Sequence, residues 1–140
     1  MEKLLNPKSI AIVGASDRIG PGFNAWKALE HVGFQGKVHL VNPSKAELFG
    51  QKCHPSLAAI EGDIDAVFVA VKAESVLEVA RQAAAKRAGG MAILSSGFGD
   101  AGEAGLALQN EFASFAEKSG IAVCGPNCLG LLNFAGRTAL

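Results

Sequence analysis

Five short apolar runs set the frame: Ser9-Ile-Ala-Ile-Val13, Lys37-Val-His-Leu-Val41, Asp65-Ala-Val-Phe-Val-Ala-Val71, Gly90-Met-Ala-Ile-Leu-Ser95 and Gly120-Ile-Ala-Val-Cys124. Each is nearly continuous rather than alternating, the pattern of parallel strands covered on both faces. Between them lie segments of helical period. Ala25, Leu29 and Val32 fall at i, i+4 and i+7, as do Val76, Ala80 and Ala83, and Leu108, Phe112 and Phe115, while Arg81, Gln82 and Lys86 fill an opposite, polar face. Gly33 and Gly120 stand where C-terminal caps belong, and Asp100 with Glu103 resembles a capping box. Strands separated by helices require right-handed crossovers, which predicts an α/β fold with a doubly wound, mostly parallel sheet.

Two stretches depart from this rhythm. The crossing from Asn42 to Gly62 carries two prolines and only short apolar groups, and is expected to be a loop with one or two brief helices. The tail Phe134-Ala-Gly-Arg-Thr-Ala-Leu140 gives no signal for a new element, so the natural polypeptide is expected to continue past it. Residues 1–140 are expected to form one domain, a length sufficient for a core without disulfides or metal.

The charge balance narrows the partners. Thirteen Lys and Arg offset thirteen Asp and Glu, so no strong field draws nucleic acid or an anionic membrane, and any anion must be bound locally. No apolar run approaches the length of a membrane span, and the first residues lack the apolar segment of a secretion signal, which points to a cytoplasmic protein. Cys53, Cys124 and Cys128 form no Cys-x-x-Cys pair, and His31, His39 and His54 are scattered, so a structural zinc site is not expected.

In an open parallel sheet, ligands bind beyond the carboxyl ends of the strands, where the strand order reverses. The loops there span residues 14–22, 42–45, 72–74, 96–102 and 125–130, and four of the five carry Gly, Ser, Asn or Pro just after the strand. Such loops let backbone approach a ligand closely and turn N–H groups of helix N-termini toward phosphate. The first loop keeps Gly14 of a G-x-G-x-x-G fingerprint but has Ser16 and Ile19 at the next two glycine positions, with Gly20 and Gly22 later. No Gly-Lys-Ser/Thr follows, so it is not a Walker loop either. Where an NAD-binding domain usually places Asp or Glu on the ribose, this chain reads Asn42-Pro43-Ser44-Lys45. A cation there suits a phosphorylated ribose, either NADP or a 3′-phosphorylated adenosine such as coenzyme A.

Other reactive residues have plainer roles. Ser16 lacks a nucleophile elbow and a credible His/Asp pair, so a turn or phosphate hydrogen bond is expected of it. Cys124 and Cys128 read as small buried groups, Trp26 as packing rather than an adenine platform, and the histidines as helix-end, strand-face and loop residues. Asp63 and Asp65 are expected to be solvated.

Taken together, Leu5-Asn-Pro-Lys-Ser-Ile-Ala-Ile-Val-Gly-Ala-Ser-Asp-Arg18, Val41-Asn-Pro43, Pro55-Ser-Leu57, Ser95-Ser-Gly-Phe98, Gly102-Glu103 and Gly125-Pro-Asn-Cys-Leu-Gly-Leu131 closely resemble the coenzyme A-binding domain of nucleoside-diphosphate-forming acyl-CoA synthetases. The same domain begins the succinyl-CoA ligase alpha subunit and heads some protein lysine acetyltransferases. The resemblance covers essentially the whole chain, with the motifs in order. It implies a Rossmann-like domain binding coenzyme A or acyl-CoA, and a longer enzyme that makes acyl-CoA and ADP through a phosphohistidine in a following domain. An ATP-grasp region, on the same chain or a second subunit, is implied too, so this domain alone should bind without turning over.

The resemblance assigns Gly14, Ser16, Asp17, Arg18 and Ile19 to the nucleotide end of coenzyme A, and Asn42, Pro43 and Lys45 to its adenosine. Val71, Lys72 and Ala73 would flank it, Ser95, Ser96 and Gly97 would meet the pantetheine, and Gly125, Pro126 and Asn127 would face the phosphate chemistry. The chain departs from the family pattern twice: Lys72 stands where a proline is usual, and the first loop lacks its usual Pro and Lys after Arg18. Three alternatives remain: an NADP-dependent oxidoreductase domain, a standalone module that senses coenzyme A or another nucleotide, and the N-terminal region of a protein lysine acetyltransferase.

Overall fold

The computed structural model describes residues 2–140. Its centre is a sheet built from β1 (Ser9–Val13), β2 (Lys37–Val41), β3 (Glu47–Leu48), β4 (Gln51–His54), β5 (Ala66–Val69), β6 (Gly90–Ile93) and β7 (Ala122–Cys124), in the order β3-β4-β2-β1-β5-β6-β7. All neighbours pair in parallel except β3 with β4. Helices α2 (Pro21–Val32), α3 (Ala73–Ala85) and α4 (Gly102–Ser119) supply the crossovers, and a short α1 (Glu2–Leu5) precedes β1. The expected doubly wound, Rossmann-like α/β sheet is therefore present, and its order reverses between β1 and β5.

The unbroken apolar runs have the reason anticipated for them. On β1, Ile10 and Ile12 face α2, where Ala25, Trp26 and Leu29 meet them, while Ala11 and Val13 face Val76, Ala80, Ala83 and Phe112 of α3 and α4. On β5, Phe68 takes the first side and Val67 and Val69 the second, all buried. Each such side chain stabilises by about 1.5–3 kcal/mol on burial, so a polar residue at any of them would unbalance the sheet. Gly33 and Gly120 end α2 and α4 in the left-handed conformation, as expected of them.

Four expectations need correction. The crossing from Asn42 to Gly62 is no mere loop: Glu47–His54 forms a hairpin, followed by one 3-10 turn at Leu57–Ala59. Its two-residue turn, Phe49-Gly50, has positive φ at both positions (53° and 71°), which suits strand twist but is unusual for Phe. The Phe49 ring stacks on Trp26 at 5.1 Å, 1° from parallel, and this packing offsets the backbone cost. Trp26 is thereby occupied as a packing residue.

The tail also forms structure. β8 (Leu132–Asn133) pairs antiparallel with β9 (Thr138–Ala139), and Thr138, Ala139 and Leu140 are buried, with Leu140 joined to Leu131 through both backbone bonds. Asp100 does not cap α4, whose cap residue Ala101 has no side-chain bond; instead its carboxylate accepts the N–H groups of Gly97 and Phe98. Those bonds hold Asp100 below the usual carboxylate range.

Asp65 is not solvated either. Its carboxylate accepts the backbone N–H of Lys8 at 2.8 Å and of Ser9 at 3.2 Å, and lies 3.6 Å from the Lys3 ammonium. It ties the entry of β1 to the entry of β5. Asp65→Ala is expected to destabilise the chain by about 1–2 kcal/mol, since it removes two charge-assisted backbone bonds; urea denaturation reads this, and an unchanged midpoint would remove the tie from the account.

Candidate functional site

The five loops emerge at the carboxyl edge of the sheet, and hydrogen bonds stitch each to its neighbour. From the β2 side, Gly14 N–H and Ala15 N–H donate to the Val41 carbonyl at 3.0 and 3.2 Å, and the Asn42 amide nitrogen donates to the Ala15 carbonyl at 2.8 Å. Ala70 N–H then donates to the Val13 carbonyl at 2.9 Å, and the Ser95 hydroxyl to the Val71 carbonyl at 2.5 Å. Asn127 N–H donates to the Ser95 carbonyl at 3.0 Å, which completes the row.

Gly14 sits at the turning point of this row. Its φ is +92°, and a Cβ there would press on the Ala70 carbonyl oxygen; a Cβ on Gly22, at the start of α2, would press on the Gly14 carbonyl oxygen. Two strands and a helix thus meet backbone to backbone. Gly22 takes the close-packing part that the last glycine of a dinucleotide fingerprint plays, but later in the chain, which leaves room for the longer segment Ala15–Gly20.

Beside this point lies a cleft of about 610 Å³, lined by Pro21, Ala70, Val71, Lys72, Ala73, Glu74, Leu94, Ser95, Ser96 and Gly97. Its floor is the end of β5 and β6, and the N-terminus of α3 opens onto it after Lys72. The structure therefore brings Val71, Lys72, Ala73, Ser95, Ser96 and Gly97 to one cleft. Ala70 and Leu94, at the ends of apolar runs, were not assigned to the site, and Pro21 and Glu74 lie in loops expected at this edge without having been singled out.

The first and second loops form the flank. Ser16 Oγ accepts the N–H of Arg18 at 3.0 Å, the turn bond expected of it, and Asn42 Oδ1 accepts the N–H of Ser44 at 2.8 Å. The Lys45 ammonium lies 3.1 Å from Asp17 Oδ2. Lys45, hydrogen-bonded to the Asp17 carboxylate, holds that carboxyl below its ordinary value. Arg18 and Lys72 have no ion-pair partner among the described residues, and Ile19 is 89% exposed. Pro43 and Asn127 are exposed at the two ends of the row.

The cysteines are held in place or buried. Cys128 Sγ lies 3.2 Å from the Ile93 carbonyl, Cys53 is buried beneath Asn42, and burial pushes the Cys53 and Cys124 thiols up. An apolar groove of about 680 Å³ adjoins the cleft through Pro21 and Leu94 and runs along α2 past His31 to Leu129 and Phe134. The arrangement can hold an elongated, phosphate-bearing ligand by backbone donors and a few cations.

Comparison with known proteins agrees with that chemistry. A family model described as a CoA binding domain matches residues 8–133. The chain is 40% identical over 134 residues to ADP-forming acetate–CoA ligase II of Archaeoglobus fulgidus, covering 95% of this chain and 20% of that protein. It is 38% identical over 141 residues to a trans-feruloyl-CoA synthase of an unknown prokaryotic organism, covering 100% and 20%. Among solved structures, acetyl-coenzyme A synthetase 1 of Ca. Korarchaeum cryptofilum, in complex with phosphate and ADP, superposes with a TM-score of 0.90 at 33% identity, covering 98% of this chain and 29% of that one. The chain spans about a fifth of the length of these two curated relatives.

Proposed function

The chain belongs to the CoA-binding domain family, and from that premise we propose that its carboxyl-edge cleft presents coenzyme A as the acceptor thiol in a longer, ADP-forming acid–thiol ligase. The overall conversion would be carboxylic acid, ATP and coenzyme A to acyl-CoA, ADP and phosphate. Residues 1–140 serve as the coenzyme A-binding unit of that enzyme. Phosphoryl transfer belongs to further domains or a partner subunit, including an ATP-grasp unit. Such chemistry draws on cellular ATP and coenzyme A, which fits a cytoplasmic setting; among the described residues no helix is long and apolar enough to cross a membrane.

The observation that carries the reading is the composition of the row: glycine-mediated close approach at Gly14, a helix N-terminus at Ala73, and Lys45 instead of an acidic residue where a ribose would lie. In this reading Ser16, Arg18 and Ile19 flank the pyrophosphate, with Arg18 as the first loop's unpaired cation, while Asp17 lies beside Lys45. Asn42, Pro43 and Lys45 meet the phosphorylated ribose and adenine. Val71, Lys72 and Ala73 carry the cleft wall, with Lys72 supplying the charge the first loop lacks, and Ser95, Ser96 and Gly97 meet the pantetheine amides. Asn127 marks the edge that faces the phosphoryl chemistry.

Calorimetry of the chain against coenzyme A, dephospho-coenzyme A, NADP and NAD tests this. Coenzyme A is expected to bind, and dephospho-coenzyme A more weakly; tight NAD binding would sink the reading. Lys45→Ala is expected to weaken coenzyme A binding by about 1–3 kcal/mol, the worth of a charge-assisted contact. An unchanged affinity would take Lys45 out of the site.

A further inference from the structure

Lys45 is already engaged before any ligand arrives. Its partner, Asp17, is a carboxylate of the first loop, 3.1 Å from the Lys45 ammonium. The two residues come from loops 28 positions apart in sequence and are both about half exposed. An ion pair in that setting contributes little and is cheap to exchange.

The backbones beneath the pair are braced independently of it. Asn42 Nδ2 joins the loops through the Ala15 carbonyl at 2.8 Å, the Asn42 side chain fixes Ser44, and the Ser16 hydroxyl fixes Arg18. Breaking the pair therefore requires only side-chain rotation, which the four-carbon Lys stem allows. A phosphate offers the ammonium more charge and more acceptor oxygens than a carboxylate does.

We propose that Asp17 is an internal competitor for the ligand's ribose phosphate: it holds Lys45 in the free protein and yields it to coenzyme A on binding, so it lowers affinity for the phosphorylated ligand selectively. Resting on the coenzyme A reading above, this makes Asp17 a positioning residue that acts through Lys45 and sets how sharply the site distinguishes coenzyme A from its dephospho form. It also keeps the Lys45 ammonium parked at the mouth of the site.

The test is a double-mutant cycle read by calorimetry. Asp17→Asn, nearly isosteric, is expected to tighten coenzyme A about two- to fivefold, the scale of an exposed ion pair, and to leave dephospho-coenzyme A unchanged. In a Lys45→Met background, Asp17→Asn should change neither ligand. Equal tightening toward both ligands would mean that Asp17 merely repels the pyrophosphate, and weaker or unchanged coenzyme A binding would mean that it is a ligand contact or a bystander; each overturns the proposal alone. Failure of the wild-type chain to bind coenzyme A would instead bring down the functional reading on which the proposal stands.

Discussion

Gly14→Ala is expected to destabilise the chain by at least about 3 kcal/mol and to abolish coenzyme A binding, because two costs fall on one position. The first is conformational: φ of +92° costs an L-residue about 1–2 kcal/mol. The second is steric and larger. The added methyl would meet the Ala70 carbonyl oxygen, a backbone atom fixed by the pairing of β1 with β5, so relief requires parting the strands at the point where the sheet order reverses. Gly62 supplies the control, since its φ is +83° and nothing lies within 4 Å of a Cβ there. Gly62→Ala should show the conformational cost alone, about 1–2 kcal/mol. Equal losses for the two variants in urea denaturation would refute the close-approach account of Gly14.

The glycines of the first loop also mark how far the sequence could be read. Glycines at 14, 20 and 22 were visible, and so was the failure to match a standard fingerprint, but only the fold assigns close packing to Gly22. The central strands were legible because burial on both faces makes them apolar throughout, as on β5. Gln51–His54 was not, for the opposite reason: it lies near the sheet edge, where Gln51 and Lys52 stay exposed and leave no apolar signature. Its turn was hidden as well, because Phe49 holds a conformation usually taken by Asn or Gly through a stack on Trp26 that no local pattern announces. The tail hairpin escaped notice because two residues per strand are too few for any period to register.

The site divides along the same line. Which loops would line it followed from topology alone, since strand order and the carboxyl-edge rule place them without any side-chain detail. Which residues would be paired within it did not. Lys45 stood out as a cation in the right loop, yet its bond to Asp17 depends on two loops meeting in space, and Asp100 looked like a helix cap until its carboxylate was found on Gly97 and Phe98. Short polar side chains can satisfy any nearby donor, so their partners are set by the fold and not by spacing.

A second large effect concerns acid stability and rests on His39. This residue lies buried on β2, facing the layer formed by α3 and α4, and its pKa is pushed down to about 4, chiefly by burial and further by Lys37 on its own strand, His54 on β4 and Lys86 beyond α3. All three neighbours are cations or potential cations, and the His54 ring lies 5.7 Å away, so nothing nearby welcomes a proton. Since the unfolded chain protonates His39 near pH 6.5 and the folded chain only near pH 4, the unfolded state binds more protons between those values. Above pH 6.5 both states hold the neutral ring, and His39 adds no pH dependence. As the pH falls below 6.5, stability is lost, by about 2 kcal/mol at pH 5 and about 3 kcal/mol at pH 4. His39→Leu, which keeps the position apolar and removes the titrating group, should flatten that part of the curve. Denaturation of both proteins at pH 7, 6 and 5 decides the matter: the loss should belong to the wild type alone, and parallel curves would show that the acid sensitivity arises elsewhere.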